Sequence, residues 1–128
     1  MVRFVPPVAQ ADLARWCAAA TLVAVPSYNE SFGLVAAEAQ ATGTPVLAAA
    51  VGGLTTVVRD GHSGLLIEGH EPRDWAAALR RVIEDEALRE RLSQGALEQA
   101  RLFAWERTAE RTLEVYEQAW SFMRESVS

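Results

Sequence analysis

Two short apolar runs constrain this chain more than any other feature. Residues 22–25 (Leu-Val-Ala-Val) and 45–50 (Pro-Val-Leu-Ala-Ala-Ala) carry no charge and no polar side chain. Strands of that kind are buried on both faces, as in a parallel sheet. Between them, residues 33–42 are rich in alanine and leucine and stop at Gly43, a good residue for the position just past a helix. A helix between two parallel strands is the crossover they require. The expected fold class is therefore α/β, a partial Rossmann-like parallel sheet.

The remaining segments extend that plan. Residues 2–5 are β-prone and closed by Pro6-Pro7, which predicts a first strand. Residues 10–20 place Leu13, Trp16, Cys17 and Ala20 at helical spacing, with Asp12 near the start. Residues 54–59 predict a short helix after Gly52-Gly53, and 65–67 a last short strand after two turn signals, Asp60-Gly61 and Ser63-Gly64. Three helical stripes follow: Trp75, Leu79, Val82 and Ile83; Leu88, Leu92 and Leu97; Trp105, Leu113, Tyr116 and Trp120. All three are read as packing surfaces, so residues 71–128 form a helical part behind the sheet. About four strands are found where a doubly wound domain has five or six. The unit is thus expected to be truncated on its N-terminal side.

The chain has 128 residues, enough for one domain. Hydrophobic residues make up 50% and charged residues 23%, the balance of a soluble globular domain. No apolar run approaches the roughly 20 residues that span a bilayer. Residues 1–8 hold one charge and two prolines, unlike a signal peptide. The one cysteine excludes a disulfide framework. A cytoplasmic location is the expectation. The net charge of −5 shows no footprint for nucleic acid. All positive residues are arginines, and residues 1–70 hold only Arg3, Arg15 and Arg59. The sparsely charged first part is therefore where chemistry is expected.

The stretch Pro26-Ser27-Tyr28-Asn29-Glu30-Ser31-Phe32-Gly33-Leu34 follows a buried strand and opens a helix. It lies at the carboxyl end of a parallel strand, where open α/β sheets bind ligands. Backbone N–H groups at a helix start form an anion site, supplied here by Ser31, Phe32 and Gly33. Glu30 precedes the helix and Glu38 lies about two turns inside it. Eight residues of helix separate them by roughly 12 Å. That is the reach from a sugar to a ribose across a diphosphate, so the spacing fits a nucleotide-sugar. The bland alternative is a capping acid at Glu30 and an exposed helix acid at Glu38. Glu38 is, however, the only charge between Ser31 and Thr56.

Glu30 to Glu38 resembles the E-x7-E motif of retaining glycosyltransferases of the GT-B fold, family 4. The resemblance continues in order through Glu38-Ala39, Gly43-Thr44-Pro45-Val46, Gly52-Gly53 and Asp60-Gly61-x-x-Gly64-Leu65-Leu66. It covers nearly the whole chain, including Phe103-x-Trp105 and the helix after it. Within the family the sequence is most similar to the subgroup that moves N-acetylglucosamine from UDP-N-acetylglucosamine to 1D-inositol 3-phosphate. Thr55-Thr56 stands where many members carry a glutamate, as fits that subgroup.

The resemblance implies a C-terminal nucleotide-sugar (donor) binding domain over residues 1–128. Glu30, in the catalytic position, would bind donor-sugar hydroxyls. Ser31, Phe32, Gly33 and Leu34 would offer backbone N–H groups to the sugar and diphosphate. Glu38 would hold the ribose, and the backbone at Val8 would read the uracil edge. A magnesium ion is implied near Cys17, Ala18, Ala20 and Thr44. The family's phosphate-binding arginine and lysine and its N-terminal acceptor domain lie upstream, so the isolated chain is expected to be inactive. The implied partners are the nucleotide-sugar, a small-molecule acceptor, the N-terminal domain and, as an option, a second copy in a homodimer.

Two other readings stay open: a family 4 transferase with another sugar and a lipid or glycan acceptor, and a non-catalytic nucleotide-sugar binding module. Cys17 reads as a small core residue. His62 and His70 read as surface histidines in turns. Gly52-Gly53 is either a tight turn or a ligand-facing loop, with the likeness favouring the loop.

Overall fold

The structure, a computed structural model, describes residues 1–126. The element order is α1 (Gln10–Ala19), β1 (Val23–Val25), α2 (Leu34–Ala41), β2 (Val46–Ala49), α3 (Leu54–Val57), β3 (Gly64–Ile67), α4 (Pro72–Glu84), α5 (Glu86–Arg101) and α6 (Trp105–Ser126). The strands form one parallel sheet in the order β1-β2-β3. The α/β class, the parallel sheet and the C-terminal helices are all observed. None of these helices is long and apolar enough to cross a membrane.

β2 explains why its run reads as apolar throughout. Val46 and Ala48 join a buried cluster with Cys17, Val25, Ala36, Ala39 and Leu54. Leu47 joins a second, with Leu65, Ile67, Val82, Leu88 and Leu92. Successive strand residues point to opposite faces, so each residue of β2 has a core to enter. Burying one such leucine contributes about 1.5–3 kcal/mol.

The loops between elements are built with equal care. α2 ends in a Schellman motif: Thr44 N–H donates to Ala39 O, and Gly43 N–H to Gln40 O. Gly43 takes the left-handed φ of 76° that this stop requires. The short α3 is held at its C-terminal end by two glutamines. Gln40 Nε2 donates to Val57 O at 3.0 Å, and Gln99 Nε2 to Thr56 O at 3.3 Å. Asp85 opens α5 by accepting from Leu88 N–H at 2.9 Å. Arg89 closes α4 by donating to the carbonyls of Val82 and Ile83 at 3.1 and 2.8 Å.

Three expectations are corrected. Residues 2–5 form no strand: residues 1–9 lack regular structure, and Val2 and Phe4 are exposed. A β-prone run becomes a strand only when a neighbour takes its backbone hydrogen bonds, and none lies alongside. The described residues therefore hold three strands, not four. β1, at one edge of the sheet, is not covered on both faces: Val25 is buried but Ala24, on the other face, is exposed. The third helical stripe, read as a packing surface, is not packed within this chain, as the family resemblance implies for a last helix that crosses back to the first domain. Trp105, Leu113, Tyr116 and Trp120 on α6 are exposed, at 85%, 62%, 69% and 62%. Helical periodicity records an apolar face, not the surface that would cover it.

Candidate functional site

The segment joining β1 to α2 holds Glu30, Ser31, Phe32 and Gly33, at the carboxyl end of β1. Its shape depends on glycine. Gly33 has a left-handed φ of 92°, and a Cβ there would lie 2.8 Å from Leu54 Cδ2. A Cβ on Gly52 would fall 1.9 Å from Glu30 O, and one on Gly53 2.4 Å from Ser31 O. The loop carrying Gly52-Gly53 thus lies directly against the backbone of residues 30–32. Gly53 N–H donates to Glu30 O at 2.9 Å and joins the two loops. The paired glycines serve this close approach between backbones, which side chains would prevent.

The Glu30 carboxyl is half-buried, and Oε1 accepts from Gly33 N–H at 3.2 Å. Gly33 N–H is therefore already engaged, one residue ahead of the helix, and a ligand oxygen would have to displace that bond. The first intrahelical bond is Ala37 N–H to Gly33 O. The N–H groups of Leu34, Val35 and Ala36 are the ones a helix start leaves without a helical acceptor. They carry the positive end of the helix dipole.

Glu38 is half-buried on α2 and faces α1. Gln10 Nε2 donates to its Oε1 at 3.4 Å. Burial pushes the Cys17 thiol up, and the Glu38 carboxylate pushes it further. Cys17 is a buried core residue held as a neutral thiol, as the sequence indicated. Val8 lies two residues ahead of Gln10. It lines an apolar pocket of about 410 Å³ with Val5, Pro6, Pro7, Leu13 and Trp16. The structure thus connects Val8 to Glu38 through α1, and Glu38 to residues 30–34 through α2.

Ala18, Ala20 and Thr44 line a separate cleft of about 640 Å³, at the opposite end of the strands from Glu30. Thr44 Oγ1 donates to Cys17 O at 2.7 Å, and Ala20 N–H donates to the same oxygen at 3.1 Å. That carbonyl has spent both lone pairs, and the Thr44 hydroxyl is already donating. Hard cations take anionic oxygen ligands, and no group of three or more His, Cys, Asp or Glu converges among the described residues. Two of the groups implied for a magnesium ion, the Cys17 carbonyl and the Thr44 hydroxyl, are thus bonded to each other as folded.

Two site neighbours were not legible in the sequence. Phe32 meets Phe103, at the end of α5, edge to face, with centroids 5.8 Å apart. His70, after β3, stacks on Tyr28 with centroids 3.8 Å apart. Neither pair has a local signal, because each joins segments far apart in the chain.

Comparisons with known proteins agree on one family. The family model for glycosyl transferases group 1 matches residues 1–99. The chain is 76% identical over 127 residues to a D-inositol 3-phosphate glycosyltransferase of Nocardioides, covering 99% of this chain and 28% of that protein. It is 60% identical to one of Thermomonospora curvata over 116 residues, 91% of this chain and 27% of that protein. The chain therefore spans about a quarter of the length of the curated relatives it matches. Among solved structures, sucrose-phosphate synthase of Thermosynechococcus elongatus superposes with a TM-score of 0.82 at 39% identity, over 93% of this chain and 30% of that one. HepE of Anabaena, solved in complex with UDP-glucose, gives 0.67 at 35% identity, over 71% of this chain and 25% of that one. With the family model covering more than half its residues, the chain belongs to the glycosyl transferases of group 1.

Proposed function

We propose that this chain is the donor-binding domain of a retaining glycosyltransferase, acting with an N-terminal acceptor domain. The reaction is transfer of N-acetylglucosamine from UDP-N-acetylglucosamine to 1D-inositol 3-phosphate. The observation that carries it is the arrangement around α2. A carboxylate, Glu30, stands ahead of the helix, unengaged first-turn N–H groups follow, and a second carboxylate, Glu38, lies further along the same helix. The relatives' printed activity supports the acceptor, and the neighbours solved with UDP and UDP-glucose support a UDP-sugar donor. A cytoplasmic location accords with a nucleotide-sugar donor and a single free cysteine.

In this reading the sugar hydroxyls bind Glu30, and the diphosphate lies over residues 31–34 at the positive end of α2. The ribose hydroxyls bind Glu38, and the uracil enters the pocket beside Val8. Transfer takes place on one face of the sugar, with the departing diphosphate accepting the acceptor's proton. The chain's own contribution is to orient the donor and to stabilise the charge that grows on the leaving diphosphate.

The test is Glu30→Gln against Glu38→Gln in the full-length enzyme. Both changes are isosteric, and a thermal melt checks folding. Glu30 is beside the reacting sugar, so its loss lowers kcat more than the loss of Glu38 does, because only interactions that strengthen in the transition state raise that constant. Glu38 is on the ribose, so its loss raises the donor KM. A hydrogen bond to a charged acceptor is worth about 1.5–3 kcal/mol, roughly 10- to 150-fold in affinity. If both variants keep wild-type kcat and donor KM, Glu30 is only a capping acid and Glu38 an ordinary helix acid, and the site assignment is wrong.

A further inference from the structure

His70 lies in the turn between β3 and α4, well outside the E-x7-E segment. It is half-buried, and its ring lies nearly parallel to that of Tyr28, with planes within 8° and centroids 3.8 Å apart. Its Nε2 is 3.0 Å from Ser27 O. A carbonyl oxygen only accepts, so Nε2 carries the hydrogen and donates. The turn that presents His70 is itself tied down, because Trp75 Nε1 of α4 donates to Gly69 O at 3.2 Å.

These contacts give the β1–α2 loop two anchors. Gly53 N–H holds it at Glu30 O, and His70 holds it at Ser27 O. Only Tyr28 and Asn29 lie between, and both are exposed. The anchors come from different strand ends, the first from the loop after β2 and the second from the turn after β3. α2, by contrast, is fixed by its own Schellman motif and by Gln40, with no contribution from His70. Loss of His70 would therefore free residues 27–29, leave Glu30 held only from its far side by Gly53 and Gly33, and leave Glu38 and the first turn of α2 in place.

We propose that His70 is a positioning residue that sets the aim of Glu30, and so acts on the sugar end of the donor and not on its nucleotide end. This rests on the donor-site reading given above. It predicts a selectivity that general support of the fold would not produce: affinity for the sugar-bearing donor falls while affinity for UDP is kept.

The experiment measures binding of UDP and of UDP-N-acetylglucosamine by calorimetry, with donor-varied kinetics, on the full-length enzyme. His70→Ala is expected to leave the UDP dissociation constant within about twofold of wild type. It should weaken UDP-N-acetylglucosamine about tenfold and lower kcat, the size of one hydrogen bond plus part of a ring stack. His70→Gln restores a donor near the Nε2 position and recovers most of the loss. Tyr28→Ala removes the stack from the exposed side and gives the same selectivity if His70→Ala does not fold. Equal weakening of both ligands, or no change in either, overturns the proposal. If Glu30→Gln impairs sugar-donor binding while His70→Ala and Tyr28→Ala do not, the donor-site reading stands and only the role of His70 falls. If the wild-type enzyme binds neither ligand, that reading itself is wrong.

Discussion

The loops at the carboxyl ends of β1 and β2 and the helix α6 are opposite solutions within one chain. The loops carry the polar residues of the candidate site, yet their backbones touch through Gly33, Gly52 and Gly53 and are joined by a direct hydrogen bond. α6 carries Trp105, Leu113, Tyr116, Trp120 and Phe122 on its surface, and all are exposed. Polar sequence therefore does not mean loose structure, and apolar periodicity does not mean a packed core. What matters is whether another segment supplies the matching surface. For the loops it comes from within the chain. For α6 the described residues provide little: a shallow cleft where Phe103 and Leu102 approach Thr108, Val115 and Tyr116.

The contrast can be broken by substitution. The largest change in stability is expected in the core that packs α4 and α5 against the sheet. Leu92 is fully buried on α5, and Leu92→Ala should cost about 2–5 kcal/mol in urea denaturation of the chain. A value below about 1 kcal/mol would mean that α5 is not packed as described.

An intermediate effect is expected where the loops meet. Gly52→Ala forces a Cβ against Glu30 O and should cost about 1–3 kcal/mol from overpacking, with loss of sugar-donor binding in the full-length enzyme. Gly61 is the matched control. Its φ is also left-handed, at 73°, but nothing lies within 4 Å of the Cβ site. Gly61→Ala should therefore carry only the backbone strain, about 1 kcal/mol, and leave donor binding intact. Similar binding defects in both would show that close loop contact is not what shapes the site.

The smallest effect is expected on α6. Trp120→Ala in this chain should change stability by less than about 0.5 kcal/mol, as for other exposed positions. A cost above about 1 kcal/mol in the same denaturation measurement would mean that the helix has a cover within the chain, and the contrast would collapse.

Much of the sheet was legible because its signals are local. The run around Val46, the glycine stop at Gly43 and the spacing of Leu88 and Leu92 each depend on residues within a few positions of one another. Glu30 and Glu38 are a different case: α2 begins only at Leu34, so the stretch from Glu30 to the left-handed Gly33 is loop, and helix geometry alone does not set their separation. Residues 2–5 form no strand for the converse reason. Their β propensity is real, but a strand is a relation between two segments, and propensity describes only one.

The α/β plan, the parallel strands Val23–Val25, Val46–Ala49 and Gly64–Ile67 and the helices that follow could be read along the chain, whereas the fate of residues 2–5 could not. That Gly52-Gly53 lies against the Glu30 backbone, that Cys17 O accepts from Thr44, and that His70 reaches Ser27, 43 residues earlier in the chain, emerges only in three dimensions. Periodicity and caps are set by covalent geometry and nearest turns, so they can be read along the chain. Hydrogen bonds and ring stacks between loops depend on where separate strands end in space, and no local pattern encodes that.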